Sequence, residues 1–294
     1  MILEAVMDKK LSRRDFLRIL KLFGLGAFFA YETRYVSAIE PSWLEVTQVT
    51  LELKGLPKAF HNYRILQLSD IHMGGWMNRE RFSAVLDVVE QQSFDLMVIT
   101  GDFVIGGHSW TENLDFAAID FIELMKPVTK RHLTLGVMGN HEYKTDPIRA
   151  RKMLAEAGVM ELKNDVHVLE KDGETLYIAG LDDISKHQQS LDRVTRKLPM
   201  LAPVILLVHE PDYATVTSKT KRFLAQLSGH SHGGQVVFPF VGPLVLPQWG
   251  RRFPAGLYQI NDMYLYTNRG VGMTPPYVRF GCRPEITIFT LNQG

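Results

Sequence analysis

Apolar and polar positions alternate along this chain in blocks, and five of the apolar blocks end in the same way. RILQL (64–68) runs into Ser69-Asp70-Ile71-His72, and DLMVIT (95–100) into Gly101-Asp102. LTLGVM (133–138) runs into Gly139-Asn140-His141-Glu142, VILLV (204–208) into His209-Glu210-Pro211, and FLAQL (223–227) into Gly229-His230-Ser231-His232. Each block has strand length and the Val, Ile, Leu or Phe content of a fully buried strand. Helical spacing lies between them, at 79–92, 112–125 and 147–158, where Gly158 is placed to cap the last helix. Strands alternating with helices predict an α/β fold. In such sheets ligands bind beyond the carboxyl ends of the strands. Here five separate strand ends carry Asp, Asn or His.

The spacing inside the clusters narrows the chemistry. Asp70 and His72 stand two apart, as do His230 and His232. On an extended chain both members of such a pair point to one side. Gly101, Gly139, Gly229 and Gly233 are expected to permit tight turns and close backbone approach, so that groups from different strands converge. Singly, each residue has a plainer role: a helix cap for Asp70, a turn for Asp102 or Asn140-His141, a core histidine for His209. Their recurrence at five strand ends points to one shared site.

Composition limits what that site serves. With 46% apolar and 22% charged residues over 294 positions, the chain is an ordinary globular one, long enough for a full core. A formal net charge of +1 gives no pull towards nucleic acid, so no such partner is indicated. Cys282 is the only cysteine, which excludes an intrachain disulfide and a cysteine-based zinc cluster; it reads as a small core residue.

The first 38 residues read differently from the rest. Lys9, Lys10, Arg13, Arg14 and Arg18 form a basic head, followed by the apolar run LFGLGAFFAY (22–31) and a small-residue VSA (36–38). The run is short, and interrupted by Gly24 and Gly26, for a spanning helix; it suits the core of an export signal. SRRDFLR (12–18) resembles the twin-arginine export signal at every place. That resemblance implies engagement of the twin-arginine export machinery and delivery to the periplasm or the outer face of the cytoplasmic membrane. The expected division is residues 1–38 as signal peptide or N-terminal anchor and 39–294 as the functional domain.

The five clusters together resemble the calcineurin-like metallophosphoesterases, whose pattern is D-x-H, G-D, G-N-H-[DE], a lone histidine after a strand, and G-H-x-H. GHSHGGQ (229–235), YTNRGVG (266–272), CRPEI (282–286) and Glu40-Pro41-Ser42-Trp43 extend the likeness to a twin-arginine-exported bacterial branch. The resemblance implies a four-layer α/β/β/α sandwich of two mixed sheets, with GLYQI, MYLYT and EITIFTL completing the second sheet. It implies two divalent metal ions: Asp70, His72 and His232 on the first, Asn140, His209 and His230 on the second, and Asp102 bridging them. Imidazole and carboxylate donors suit Mn, Fe or Zn. His141 is implied as the catalytic group that protonates the leaving oxygen or steadies phosphoryl charge, while a metal-bound hydroxide attacks.

The expected function is a dinuclear phosphodiesterase in the cell envelope. Two alternatives stand beside it: a pyrophosphatase acting on a UDP-2,3-diacylglucosamine type of lipid precursor, and a non-catalytic metal-containing envelope-binding protein. VVFPFVGPLVLPQWGRRF (236–253) reads as an apolar lip beside the metals, with Arg251 and Arg252 for phosphate. That lip suits an amphiphilic phosphodiester and contact with a membrane surface. Arg269 and Arg283 are further candidates for substrate contact.

Overall fold

The computed structural model describes residues 13–107 and 109–294. Lys9, Lys10 and Ser12 of the basic head lie outside the described residues. Helix α1 (Arg13–Arg34) passes through the apolar run and continues as a π turn over Tyr35–Ile39. Among the described residues no helix is long and apolar enough to cross a membrane.

In chain order the strands are β1 (Glu45–Leu53), β2 (Tyr63–Leu68), β3 (Leu96–Ile99), β4 (Thr134–Gly136), β5 (Met160–Glu161), β6 (Asp165–Lys171), β7 (Glu174–Gly180), β8 (Val204–Leu207) and β9 (Ala225–Ser228). A small hairpin of β10 (Val237–Phe238) and β11 (Gly242–Pro243) follows, then β12 (Gly256–Ile260), β13 (Met263–Thr267) and β14 (Glu285–Gln293). One six-stranded sheet has the order β1-β14-β2-β3-β4-β5, the other β12-β13-β9-β8-β7-β6. β2 to β5 run parallel, and so do β7, β8, β9 and β13. Both sheets are mixed, because β14 is antiparallel to β2, and β6 and β12 are antiparallel to their neighbours.

Apolar periodicity sets the layers. α2 (Arg79–Glu90) starts at Asn78, whose side chain accepts the Arg81 N–H, and buries Phe82, Val85, Leu86 and Val89 on one stripe. α3 (Glu112–Thr129) and α5 (Pro147–Ala157) join it on the outer face of the first sheet, against Leu66, Leu68, Met97 and Ile99. Alternate residues of the same strands, Ile65, Leu96 and Val98, face the other way and meet Ile178, Ile205, Leu207 and Leu227 of the second sheet. Val194 and Leu198, in and just after α6 (Leu191–Lys197), cover the far side of that sheet. The result is the expected α/β/β/α order.

One strand departs from expectation. β14 does not complete the second sheet with β12 and β13 but sits inside the first, between β1 and β2. The reason is burial on both faces: Ile286 and Ile288 pack towards the helices while Phe289 and Leu291 enter the core between the sheets. The chain between β13 and β14 therefore crosses from one sheet to the other. Asn268 N–H donates to Ser228 O on one side and Val271 N–H to Ser69 O on the other, at 2.9 and 3.1 Å.

Candidate metal centre

The crossing takes place where the carboxyl ends of five parallel strands meet. β2 delivers Asp70 and His72, β3 Asp102, β4 Asn140, β8 His209, and β9 His230 and His232. Backbone bonds continue past the strand ends and lock these loops together: Asp70 N–H donates to Gly101 O, His72 N–H to Asp102 O, and Gly229 N–H to His209 O, each at 3.0 Å.

The pairs converge, though not through extended chain. Asp70, His72, Asp102, His230 and His232 all have left-handed backbone, with φ between 51° and 71°. Such residues cost of order 1 kcal/mol or more each and gather at functional sites. The tight turns, not strand alternation, aim the side chains. Three glycines are required here, Gly139 among them, since a Cβ on it would strike Asp102 Oδ1. Gly101 has φ 95°, and a Cβ on it would stand 2.6 Å from His209 Nδ1. A Cβ on Gly229 would strike Ser69 and Asp70.

Two clusters of donor atoms result, and His141 forms a third group with His72 and Asp102 between them. Asp70, His72 and His232 form one; His232 Nε2 is 3.0 Å from His72 Nε2 and 3.4 Å from Asp70 Oδ1. Asp102, His209 and His230 form the other, with His209 Nε2 3.2 Å from both Asp102 Oδ2 and His230 Nδ1. Asp102 Oδ2 also lies 3.7 Å from His72 Nε2, so one carboxylate borders both clusters.

The hydrogen bonds assign the ring nitrogens. His209 Nδ1 donates to Thr100 O at 2.6 Å, and His230 Nε2 donates to Gln248 O at 2.7 Å. In the neutral rings this turns the lone pairs of His209 Nε2 and His230 Nδ1 towards one point. Asn140 Oδ1 is buried and takes no hydrogen bond from any described residue. Burial and the charge of Asp102 push the Asp70 carboxyl up to about 7. Facing lone pairs, an orphaned amide oxygen and strained carboxylates fit divalent cations held by nitrogen and oxygen. No thiolate takes part: Cys282 is buried, and its thiol donates to His232 O at 3.2 Å.

His141 sits at the mouth of this cluster. Its backbone N–H donates to Asp102 Oδ1 at 2.9 Å, and its Nδ1 accepts the Gly106 N–H at 2.6 Å. The neutral ring therefore carries its proton on Nε2. Burial pulls its pKa down to about 4, against the opposing Asp102 charge. A cleft of about 670 Å³ is lined by His141, Lys144 and Lys186 and by the apolar Val236, Leu244, Val245, Pro247 and Val278.

The arginines fall elsewhere. Arg269 pairs with Glu45 (2.8 Å) and Glu285 (3.0 Å), and Arg283 pairs with Glu45 (2.7 Å) while lying over the Trp43 ring. Arg251 and Arg252 are exposed beyond the cleft wall, their backbone N–H groups bonded to Asp212. Three other charged residues, given no role by the sequence, hold the site. The Glu142 carboxylate, in α4 (Asn140–Thr145), accepts from the N–H groups of Gly139, Val104 and Asp102. Glu210 accepts from Ile184 N–H, Ser185 N–H and the Ser185 hydroxyl. The fully buried Arg279 donates to the carbonyls of Arg269, Gly270, Gly272 and Cys282. For Glu142 the signal was available, since an acid three residues after a turn glycine can reach back to the cap.

Comparison with known proteins agrees with this geometry. The calcineurin-like phosphoesterase family matches residues 63–234, the stretch that holds all seven donors. The metallophosphoesterase YkuE of Bacillus subtilis is 34% identical over 289 residues, covering 96% of this chain and 98% of its own. A metallophosphoesterase of Aquifex aeolicus is 32% identical over 262 residues, covering 87% and 94%. The phosphodiesterase YaeI of Escherichia coli is 28% identical over 264 residues, covering 87% and 92%. With its donors gathered at the strand ends and a relative alike over nearly the whole length, this chain belongs to the calcineurin-like phosphoesterases.

Proposed function

We propose that the chain is a two-metal phosphodiesterase of the bacterial cell envelope. The observation that carries the reading is the double cluster bordered by Asp102, with the His141 ring beside it and the cleft open above. Two divalent ions held there, one by Asp70, His72 and His232, the other by Asn140, His209 and His230, would stabilise phosphoryl charge and activate water near neutral pH. Mn, Fe and Zn suit the donor set. The likeness to a protein named phosphodiesterase supports the substrate class.

The chain's own groups do the rest. Gly106 N–H holds His141 Nδ1 as an acceptor, so Nε2–H is the proton-bearing atom. With Nδ1 unprotonated the ring has no second proton to give, so Nε2–H serves as a hydrogen-bond donor that steadies charge on a phosphoryl or leaving oxygen rather than protonating it, a contact worth typically 10²- to 10³-fold. Thr145 Oγ1 donates to His141 O at 2.8 Å and pins the residue in place. Lys144 and Lys186 put positive charge on the cleft wall, where a phosphate diester enters.

Export by the twin-arginine route is part of the proposal, supported by SRRDFLR, whose Arg13 and Arg14 are exposed on α1. The test is turnover of bis-p-nitrophenyl phosphate, p-nitrophenyl phosphate and a nucleoside diphosphate sugar by protein reconstituted with Mn²⁺. The diester is expected to be hydrolysed fastest. Preference for the diphosphate would replace the diesterase reading with a pyrophosphatase, and turnover of none would leave a binding protein.

A further inference from the structure

The segment that forms the apolar wall of the cleft also projects from the molecule. From Val236 to Leu246 the sequence is VVFPFVGPLVL, eleven residues without one charged or hydrogen-bonding side chain. It folds as the β10–β11 hairpin, closed by Val241 N–H to Phe238 O (3.2 Å) and Leu244 N–H to Val236 O (3.1 Å). Phe240 at its tip is fully exposed at 109%, Val245 is 76% exposed and Val241 72%. Leu244 and Val245 face both ways, outward and into the cleft.

We propose that this hairpin docks on a phospholipid bilayer and turns the cleft mouth onto the lipid surface. Three observations select a bilayer. A protein interface ordinarily sets polar groups around its apolar centre, at about one hydrogen bond per 100–200 Å², and this tip offers no side chain for that. Its base is edged by cations: Arg251 and Arg252 are exposed, Asp212 holds their backbone N–H groups, their guanidinium groups pair with no carboxylate among the described residues, and Arg251 Nε reaches Leu246 O at 3.5 Å. Those charges complement anionic headgroups. Lastly, α1 leaves the body beside the hairpin. Val237 N–H bonds Phe280 O, and the next-door Arg279 N–H bonds Val36 O, each at 2.8 Å; Tyr35 and Phe238 line one shallow pocket. α1 itself exposes Leu17, Leu20, Leu25 and Phe29 alongside Arg13 and Arg14. An apolar tip and an apolar basic helix together supply the two signals that stable surface anchoring needs. The substrate would then be a phosphodiester carried on a lipid, a step that rests on the phosphodiesterase reading, whereas docking does not.

The test uses the full chain. Phe240→Cys is labelled with an environment-sensitive fluorophore; Cys282 is buried and stays unlabelled in the folded protein. Phosphatidylcholine vesicles with phosphatidylglycerol are expected to shift the emission to the blue, and vesicles without it to do so less. The double variant Phe240→Ser with Val241→Ser is expected to weaken partitioning onto vesicles in sedimentation by roughly 100-fold or more, from the loss of two apolar side chains from lipid. Its turnover of soluble bis-p-nitrophenyl phosphate should equal that of the wild type. No emission change, equal binding by the double variant, or a change that follows protein concentration without vesicles would overturn the proposal; the last would mean that a second copy covers the hairpin. Failure to hydrolyse the soluble diester would reject the phosphodiesterase reading instead, and the fluorescence result would still decide docking.

Discussion

Replacing Arg279 with Met tests whether the loop behind the metal centre is held by one side chain. Arg279 is fully buried, and among the described residues no carboxylate pairs with it. Its guanidinium donates to Arg269 O at 2.9 Å, Gly270 O at 3.0 Å, Gly272 O at 2.7 Å and Cys282 O at 3.0 Å. Methionine keeps most of the volume and removes all four bonds. At about 1 kcal/mol net for each, the loss is roughly 4 kcal/mol. Relief from burying an uncompensated charge offsets part of that, leaving about 2–3 kcal/mol. For a domain of this size the Tm should fall by roughly 4–12 °C. The same loop touches the candidate ligand Asp70 directly. Gly272 N–H donates to Asp70 O at 2.8 Å, and a Cβ on Gly270 would stand 2.7 Å from that of Asp70. Loosening it should weaken metal binding by roughly 10- to 100-fold, as loss of groups that orient ligands usually does. Calorimetry of the metal-free protein gives the first quantity, and chelator competition well below the Tm the second. A lower Tm with unchanged metal affinity would refute the positioning role, and an unchanged Tm would refute the hydrogen-bond reasoning as well.

Gly106→Ala should imitate His141→Ala, because the new Cβ would stand 2.6 Å from His141 Nδ1 and displace the ring. Both variants should keep their metals and lose roughly 10²- to 10³-fold in kcat on alkyl diesters, and less on p-nitrophenyl esters, whose leaving oxygen carries less charge. Equal losses across leaving groups would place the His141 hydrogen bond on the phosphoryl oxygens instead of the leaving oxygen, and lost metal in His141→Ala would make it a ligand. Changing Arg13 and Arg14 together to Lys should retain the protein in the cytoplasm; fractionation showing normal delivery to the envelope would refute twin-arginine export. Cleavage after Ala38 would delete the bond from Arg279 N–H to Val36 O but spare buried Glu40, which accepts the Cys282 N–H at 2.6 Å. Because bilayer docking uses α1, the mature mass is expected to include it, and a chain starting at Ile39 would contradict that.

What the sequence disclosed follows from how locally each feature is encoded. Five apolar runs and the residues after them are contiguous, so the strands and all seven donors could be read from 64–68, 95–100, 133–138, 204–208 and 223–227. The sign of φ at Asp70 or His232 could not, since it depends on how loops from two sheets interlock. The place of β14 was hidden because GLYQI, MYLYT and EITIFTL look alike as strands; what separates the last is that its outer face packs on the helices of the first sheet, while β13 packs on the far side of the second. Arg269 stood as a candidate for substrate contact because it lies in the family-like YTNRGVG stretch. Its partner Glu45 is 224 residues away in sequence, which no local pattern announces. Arg279 gave no sign for the same reason: its acceptors are carbonyls, present at every residue.

The central claim is that Asp70, His72, Asp102, Asn140, His209, His230 and His232 hold a pair of ions that hydrolysis requires. It is tested most directly by titrating chelator-stripped protein with Mn²⁺ while measuring bound metal and bis-p-nitrophenyl phosphate turnover in the same samples. Turnover should be absent at the start and saturate at about two ions per chain. Asp102→Ala, whose carboxylate borders both clusters, should bind less than either single-ligand variant His72→Ala or His230→Ala. Full turnover in metal-free protein, or saturation with no ion bound, would contradict it.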